Sequence, residues 1–279
     1  MTARWWHLAI ACRVEDADAV AAAIIATTGF AVEEPHPGSI SAVAATDVDA
    51  RRLAAEMAAA FPGLEASVTE LEPVDWTVRW RDGIVTRQFG RLVITPSWLP
   101  IDAPEGAAVV VLDPESAFGS GEHGSTRAAL ALLERHLQPG DRVLDFGSGS
   151  GILAIAAVRL GASMAIGIEV DDEAIPIAEA NAARNDVTDR VRFLLGDAEA
   201  LGALAGPARI VCSNILRTVN ALLLPAIRDA LAPDGLAIFA GMEDAEAELF
   251  RPVLAEAGWQ VVDEVHDAGW WGVVARRPA

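Results

Sequence analysis

The stretch "VLDFGSGSGILAIAAVRLGASMAIGIEVDDEA", residues 143–174, decides the fold. Val143 to Phe146 reads as a short buried strand. Glycines follow at every second position, Gly147, Gly149 and Gly151, and then a long Ala/Leu/Ile helix. A second apolar strand ends in a carboxylate, Glu169, which lies 22 residues after Gly147. Glycine lets the chain turn sharply between strand and helix, and lets a ligand approach the backbone with no Cβ in the way. In open α/β sheets ligands sit beyond the carboxyl ends of the strands, where strand order reverses, and an acid about twenty residues on accepts from a ribose. The stretch predicts a nucleoside site.

The spacing also narrows the nucleoside. A dinucleotide loop is G-x-G-x-x-G, with its third glycine opening the helix toward a pyrophosphate. Here the third glycine comes one residue early and the loop follows Asp145. A carboxylate there opposes phosphate and suits an ammonium. S-adenosyl-L-methionine, with an amino-acid ammonium, a ribose and a sulfonium, meets these requirements. Asp197, just after the third strand in "RFLLGDAEAL", is placed to accept from an adenine amine, to cap the next turn, or both. In "IVCSNILR" the fourth strand ends at Asn214, which can either cap a helix or offer its carbonyl to a substrate N–H, orienting a nitrogen lone pair.

Outward from this motif the pattern stays α/β. A helix from about Gly124 to Leu137 precedes strands near 143–146, 164–169, 191–195, 209–213 and 235–240, and the last two strands, in "WQVVDEVHDAG" and "WWGVVARR", read as antiparallel. Alternating strand and helix predicts a doubly wound, mainly parallel sheet over residues 96–279. The first 71 residues differ. Trp6, Leu8, Ile10, Cys12 and Val14 alternate as a strand, and Asp16 or Asp18 can cap a helix through Thr28, which Gly29 ends. "FAVEE" and "SISAVAAT" flank the turn cluster "PHPG"; Asp47 or Asp49 starts a helix with Leu53 and Met57 inward, and "LEASVTEL" is a last strand. The order β-α-β-β-α-β is ferredoxin-like. This module has no cluster of catalytic residue types and suits recognition. Between the two, residues 72–95 read as a linker helix carrying Trp76, Trp80, Arg79, Arg81 and Arg87.

The 279-residue chain carries 21 basic and 40 acidic residues, a net charge of −19, and every basic residue other than histidine is arginine. The absence of lysine reads as coding bias. The acidity disfavours contact with nucleic acid and favours a basic partner. Cys12 and Cys212 are far apart in sequence, so neither a disulfide framework nor a zinc site is expected. With no membrane-length apolar run and no signal-peptide pattern, the expected compartment is the cytoplasm, with no membrane partner and a monomeric state.

The run "DPESAFGSGEHGSTRAALALLERHLQPGDRVLDFGSGSGILAIAAVRLGA" resembles the ribosomal protein L11 methyltransferase (PrmA) family. The glycine motif is common to many methyltransferases; "AFGSGEHGST" is the specific part, and the resemblance covers nearly the whole chain. It implies a seven-stranded class I methyltransferase sheet, S-adenosyl-L-methionine as methyl donor with no metal, and N-methylation of lysine side chains of the ribosomal protein, with its N-terminal amine as a further acceptor. It further implies contacts to the donor from Thr126, Gly147, Glu169 and Asn214, with Phe118 and Gly119 lining the transfer pocket. The N-terminal module would recognise the ribosomal protein. The chain departs from the family in Ser120 and Ser125, where Thr is usual, in Glu169, where Asp is usual, and in Arg217, where a small residue is usual. Hydroxyl and carboxylate chemistry is kept; Arg217 bears on the substrate entrance. Glu122 and His123 are candidates for taking a proton from, or orienting, the amine. The competing readings are a nicotinamide dehydrogenase, a cofactor-sensing binding module, and a methyltransferase acting on another protein or a small-molecule amine.

Overall fold

The computed structural model describes residues 5–28, 32–71, 81 and 83–277. It divides into two compact units on either side of residues 79 and 80.

In the first unit, β1 (Trp5–Ala11) lies between β3 (Ser39–Ala44) and β4 (Glu65–Leu71), antiparallel to both, and β2 (Glu33–His36) pairs with β3. The order β2-β3-β1-β4, with helices α1 (Ala17–Thr28) and α2 (Asp47–Ala60), is the expected ferredoxin-like arrangement. Leu8 and Ile10 point into a core shared with Val20, Ile24, Leu53 and Met57. Two local expectations are corrected. The alternation stops before Val14, which is exposed and opens a single 3-10 turn closed by Asp16 N–H donating to the Arg13 carbonyl. Helix α2 starts at Asp47, as expected, and Thr46 before it is the cap, its hydroxyl accepting from Asp49 N–H at 3.1 Å. Strand β2 runs on to His36, which moves the turn to Pro37 and Gly38. Gly29, Phe30 and Ala31 lie outside the described residues, as do Trp76, Arg79 and Trp80.

The second unit opens with a small sheet in which β5 (Arg87–Phe89) and β6 (Leu92–Thr95) form a hairpin and β7 (Ala108–Val111) runs parallel to β6. The linker helix expected over 72–95 is corrected here: its described end is two strands. Leu92 to Thr95 are all buried, and four consecutive apolar or β-branched side chains favour an extended buried strand over a surface helix.

Behind it stands a seven-stranded sheet of β8 (Arg142–Phe146), β9 (Met164–Glu169), β10 (Val191–Leu195), β11 (Ala208–Asn214), β12 (Leu231–Glu243), β13 (Gln260–Asp267) and β14 (Trp270–Arg276). Its order is β10-β9-β8-β11-β12-β14-β13, parallel except for β14. This is the predicted doubly wound class I methyltransferase sheet, and strand order reverses between β8 and β11. Helices α3 (Gly124–His136), α4 (Ile152–Leu160) and α5 (Ala174–Arg184) share one core with Val143, and α6 (Ala198–Ala205), α7 (Arg217–Ala230) and α8 (Ala247–Glu256) share the other with Leu144 and Phe146. Side chains alternate along β8, so Asp145 shares the face of Val143. The large buried groups Phe146, Phe239, Phe250 and Trp271 each contribute about 2–3 kcal/mol by burial.

The end of β7 and the residues after it are covered by side chains. Asn185 Oδ1 accepts from Val111 N–H at 2.8 Å while its Nδ2 donates to the Val111 carbonyl at 2.7 Å. Asn181 does the same for Asp113, at 3.0 Å in both directions. Two amides, one on α5 and one at its C-cap, thus stand in for a neighbouring strand.

Candidate active site

The turn after β8 is held from two sides. Gly147 N–H and Ser148 N–H donate to the Ile168 carbonyl at 2.8 and 3.2 Å, and Gly149 N–H donates to Glu169 Oε2 at 2.8 Å. On the other side Ser150 N–H donates to the Phe118 carbonyl at 2.9 Å, and Ser150 Oγ donates to the Gly119 carbonyl at 2.6 Å. The Phe118 carbonyl sits where a Cβ on Gly149 would have to be, so only glycine fits at φ 49°. The glycine turn and the Phe118 loop are one laced structure.

Beyond the carboxyl ends of β8, β9 and β11 lies a cleft of about 560 Å³. Phe118, Gly147, Gly149, Glu169, Asp197 and Asn214 line it, so six of the expected site residues, from five separate segments, converge. Glu169 is already well held: its other oxygen accepts from Val170 N–H at 2.8 Å and Asp171 N–H at 3.1 Å. A carboxylate has about four acceptor sites, and three are used, which leaves one with a fixed direction. Asp197 caps α6, its Oδ1 accepting from Glu199 N–H at 2.8 Å, while it also faces the cleft. Both readings of Asp197 are compatible with this placement.

The remaining expected residues stand behind the lining. Gly151 begins α4 against Phe193, and Gly119 lines a neighbouring groove. Thr126 is fully buried and accepts from Asn214 Nδ2 at 3.2 Å. That bond leaves Asn214 Oδ1 buried with no partner. Asp145 is also buried; its Oδ2 accepts from Ala154 N–H at 3.2 Å, and its Oδ1 has no partner. Burial pushes its carboxyl up to about 8, and the nearby Glu169 charge pushes the same way. Two orphaned buried oxygens beside a glycine-walled cleft are what a ligand carrying an ammonium or amine N–H would satisfy. The residues present therefore fit an amino-acid-bearing nucleoside such as S-adenosyl-L-methionine.

The helix following the Phe118 loop is clamped by the last hairpin. Arg127 donates from Nε and Nη2 to the two carboxylate oxygens of Asp267, at 2.9 and 2.6 Å, and also to the Glu122 carbonyl. The Arg127 hydrogen bonds hold the Asp267 carboxyl below its usual range. Trp270 packs on His123 with ring centroids 4.1 Å apart, and Phe118 meets the same imidazole edge-on at 5.4 Å. Burial, and secondarily the Arg127 charge, lower the His123 pKa, so the ring is neutral at pH 7. Its Nδ1 lies 2.7 Å from Ser125 Oγ. Glu122 is committed elsewhere: it accepts from Arg87 at 2.6 Å and from Val85 N–H at 3.0 Å. His123, and not Glu122, lines the cleft. Arg217 pairs with Glu246 at 3.1 Å and is not among the cleft residues.

Sequence reasoning missed Trp270 and the apolar lining of Val170, Ile215, Leu216 and Val219. Position held a signal: Val170 and Ile215 are the residues immediately after the predicted ends of β9 and β11. Nothing local marks Trp270, which reaches His123 from 147 residues away in sequence. Among the described residues no group of three His, Cys, Asp or Glu side chains could hold a metal ion. No described helix is long and apolar enough to cross a membrane.

A profile of the ribosomal protein L11 methyltransferase (PrmA) family matches residues 33–278. The chain is 37% identical over 230 residues to the ribosomal protein L11 methyltransferase of Pelotomaculum thermopropionicum, covering 81% of this chain and 74% of that one. With the enzyme of that name from Thermus thermophilus it shares 41% identity over 202 residues, 72% of this chain and 77% of the other. The crystal structure of ribosomal protein L11 methylase from Lactobacillus delbrueckii subsp. bulgaricus superposes with a TM-score of 0.63 at 29% identity, over 70% of this chain and all of that one.

Proposed function

The chain belongs to the ribosomal protein L11 methyltransferase (PrmA) family, and from that premise we propose that it N-methylates lysine side chains of ribosomal protein L11 with S-adenosyl-L-methionine as donor. A further acceptor in this reading is the N-terminal amine of the same protein. The observation that carries the reading is the uncommitted Asn214 carbonyl oxygen in a cleft shared with Glu169 and the glycine turn.

When bound, the donor supplies a methyl already activated by its sulfonium. Glu169, with one acceptor site left, would take a ribose hydroxyl, and Gly147 and Gly149 leave room for the ligand against the backbone. Asp197 accepts from the adenine amine with the oxygen that does not cap α6. Asp145 answers the ammonium from behind the turn. Thr126 acts through Asn214, holding the amide so that its carbonyl oxygen remains open to an N–H of the incoming amine.

The amine must arrive neutral. An ordinary lysine with pKa near 10.4 is mostly charged at pH 7, a penalty of about 4–5 kcal/mol. An apolar lining of Ile215, Leu216 and Val219 disfavours the ammonium, and positioning by Asn214 can offset a comparable amount. His123, neutral and in the cleft, can take the proton on Nε2 in the tautomer whose Nδ1–H donates to Ser125 Oγ. The proposed setting is the cytoplasm, with a basic ribosomal protein as partner and the first unit as its recognition module.

The test is methyl transfer from labelled S-adenosyl-L-methionine to purified ribosomal protein L11, with sites mapped by mass spectrometry. Label appearing at lysine nitrogens supports the reading. No transfer to this protein, with transfer to another amine, would replace the substrate and keep the chemistry.

A further inference from the structure

Next to the cleft lies a second groove, of about 490 Å³, lined by Ile84, Pro114, Glu115, Phe118, Glu122 and His123 among others. Phe118 and His123 line both cavities, so these two rings form the boundary that groove and cleft share. The groove has apolar walls and two carboxylates. That of Glu122 is neutralised by Arg87. Glu115 is exposed and has no ion pair or side-chain hydrogen bond among the described residues. Its backbone is unusual: φ is 50°, in a tight turn closed by Ala117 N–H donating to the Pro114 carbonyl at 2.9 Å. Turn positions with positive φ favour glycine, because an L side chain is strained there. A long charged side chain in that conformation contributes nothing visible to the fold, and such outliers gather at functional sites.

We infer that this groove receives the substrate's lysine side chain on its way to the methyl group, and that Glu115 is the specificity-determining residue that selects a cationic side chain at its mouth. This rests on the proposed function and extends it. A lysine suits both surfaces: its four-carbon stem packs along Ile84, Pro114 and Phe118, while its ammonium meets the one carboxylate not already paired. Glu115 stands outside the reacting centre, so it selects the charged form, and the proton is lost further in, beside His123. No bond forms at Glu115, and its effect is confined to capture.

The experiment uses the full chain, with ribosomal protein L11 and labelled S-adenosyl-L-methionine, and compares wild type with Glu115→Gly, Glu115→Gln and Glu115→Arg. For Gly and Gln, KM for the protein substrate should rise about three- to fivefold at low salt, with kcat and donor affinity unchanged. For Arg the rise should be about tenfold or more, and all three differences should shrink at high salt. The Gly variant should melt no lower than wild type, because it relieves the backbone; a purely structural role would lower the melting temperature instead. Active variants with unchanged KM would overturn the groove assignment alone. A wild-type enzyme that fails to methylate ribosomal protein L11 would overturn the functional reading, and the assignment with it.

Discussion

Asp145 and Asn214 each hold a buried oxygen with no hydrogen-bond partner, at the ends of the paired strands β8 and β11. Burial raises the Asp145 carboxyl from its ordinary 3.8 to about 8. Between those values the unfolded chain has released a proton that the native state still holds, so stability falls as pH rises through this window. Asp145→Asn cannot ionise, and its melting temperature should therefore gain on wild type between pH 5 and pH 8. Parallel melting curves across that range would mean that Asp145 is already ionised in the native protein. A bound ammonium would favour the carboxylate, so donor binding at pH 7 should release a proton. Calorimetry in two buffers of different ionisation enthalpy measures that release. For Asn214 the expected signature is kinetic. Asn214→Ala should lower turnover by about a hundredfold, as loss of one well-placed polar group does, with a smaller loss of donor affinity. Equal losses in both would assign Asn214 to donor binding alone.

At the scale of elements, α5 supports the site without lining the cleft. Asn181 Nδ2 donates both to the Asp113 carbonyl and to the Ser150 carbonyl, at 3.0 and 3.1 Å, so one amide joins the base of the Phe118 loop to the glycine turn. Asn181→Leu would strand three buried backbone groups, at a cost of about 3 kcal/mol or more. Urea denaturation should show that loss, and donor affinity should fall with it. A variant as stable as wild type would mean that water or a shifted backbone replaces the amide. This role could not be read in the sequence. Asn181 sits in "AEANAARN", an ordinary exposed helix by pattern, and only the structure brings β7 alongside it. The glycine turn, Glu169 and Asn214 were legible because their spacing within strand–turn–helix units is local. The 87–95 hairpin was misread because the two Trp and the Arg residues just before it masked a buried run.

For the whole molecule, the edge of the second unit matters most. The boundary expected at residue 96 falls immediately after β6, whose Leu92 and Ile94 belong to the same core as Leu130 and Ile155. A fragment beginning at residue 96 should therefore fold poorly. One beginning at residue 81 keeps β5 and β6, and we expect it to fold and bind S-adenosyl-L-methionine. If the first unit recognises the ribosomal protein, the longer fragment should still methylate it very poorly at low substrate concentration, because a tethered module raises local concentration to the millimolar range. Saturating substrate should recover most of the rate. A fragment from 81 that matches the full chain at low substrate would give the first unit another task.

The hairpin that brings Asp267 to Arg127 and Trp270 to His123 also sets a timetable. Strand β14 enters the sheet between β12 and β13, so β13 has no partner until the later strand arrives. During synthesis at about 5–20 residues per second, the glycine turn leaves the ribosome several seconds before Trp270 is made. Once β12 is made it keeps an open edge until β14 follows, and until then the imidazole of His123 lacks its indole. The nascent enzyme can collapse around its first core early, yet it gains a finished cleft only when its closing strand slots home. Such non-local closure is a slow step that comes late.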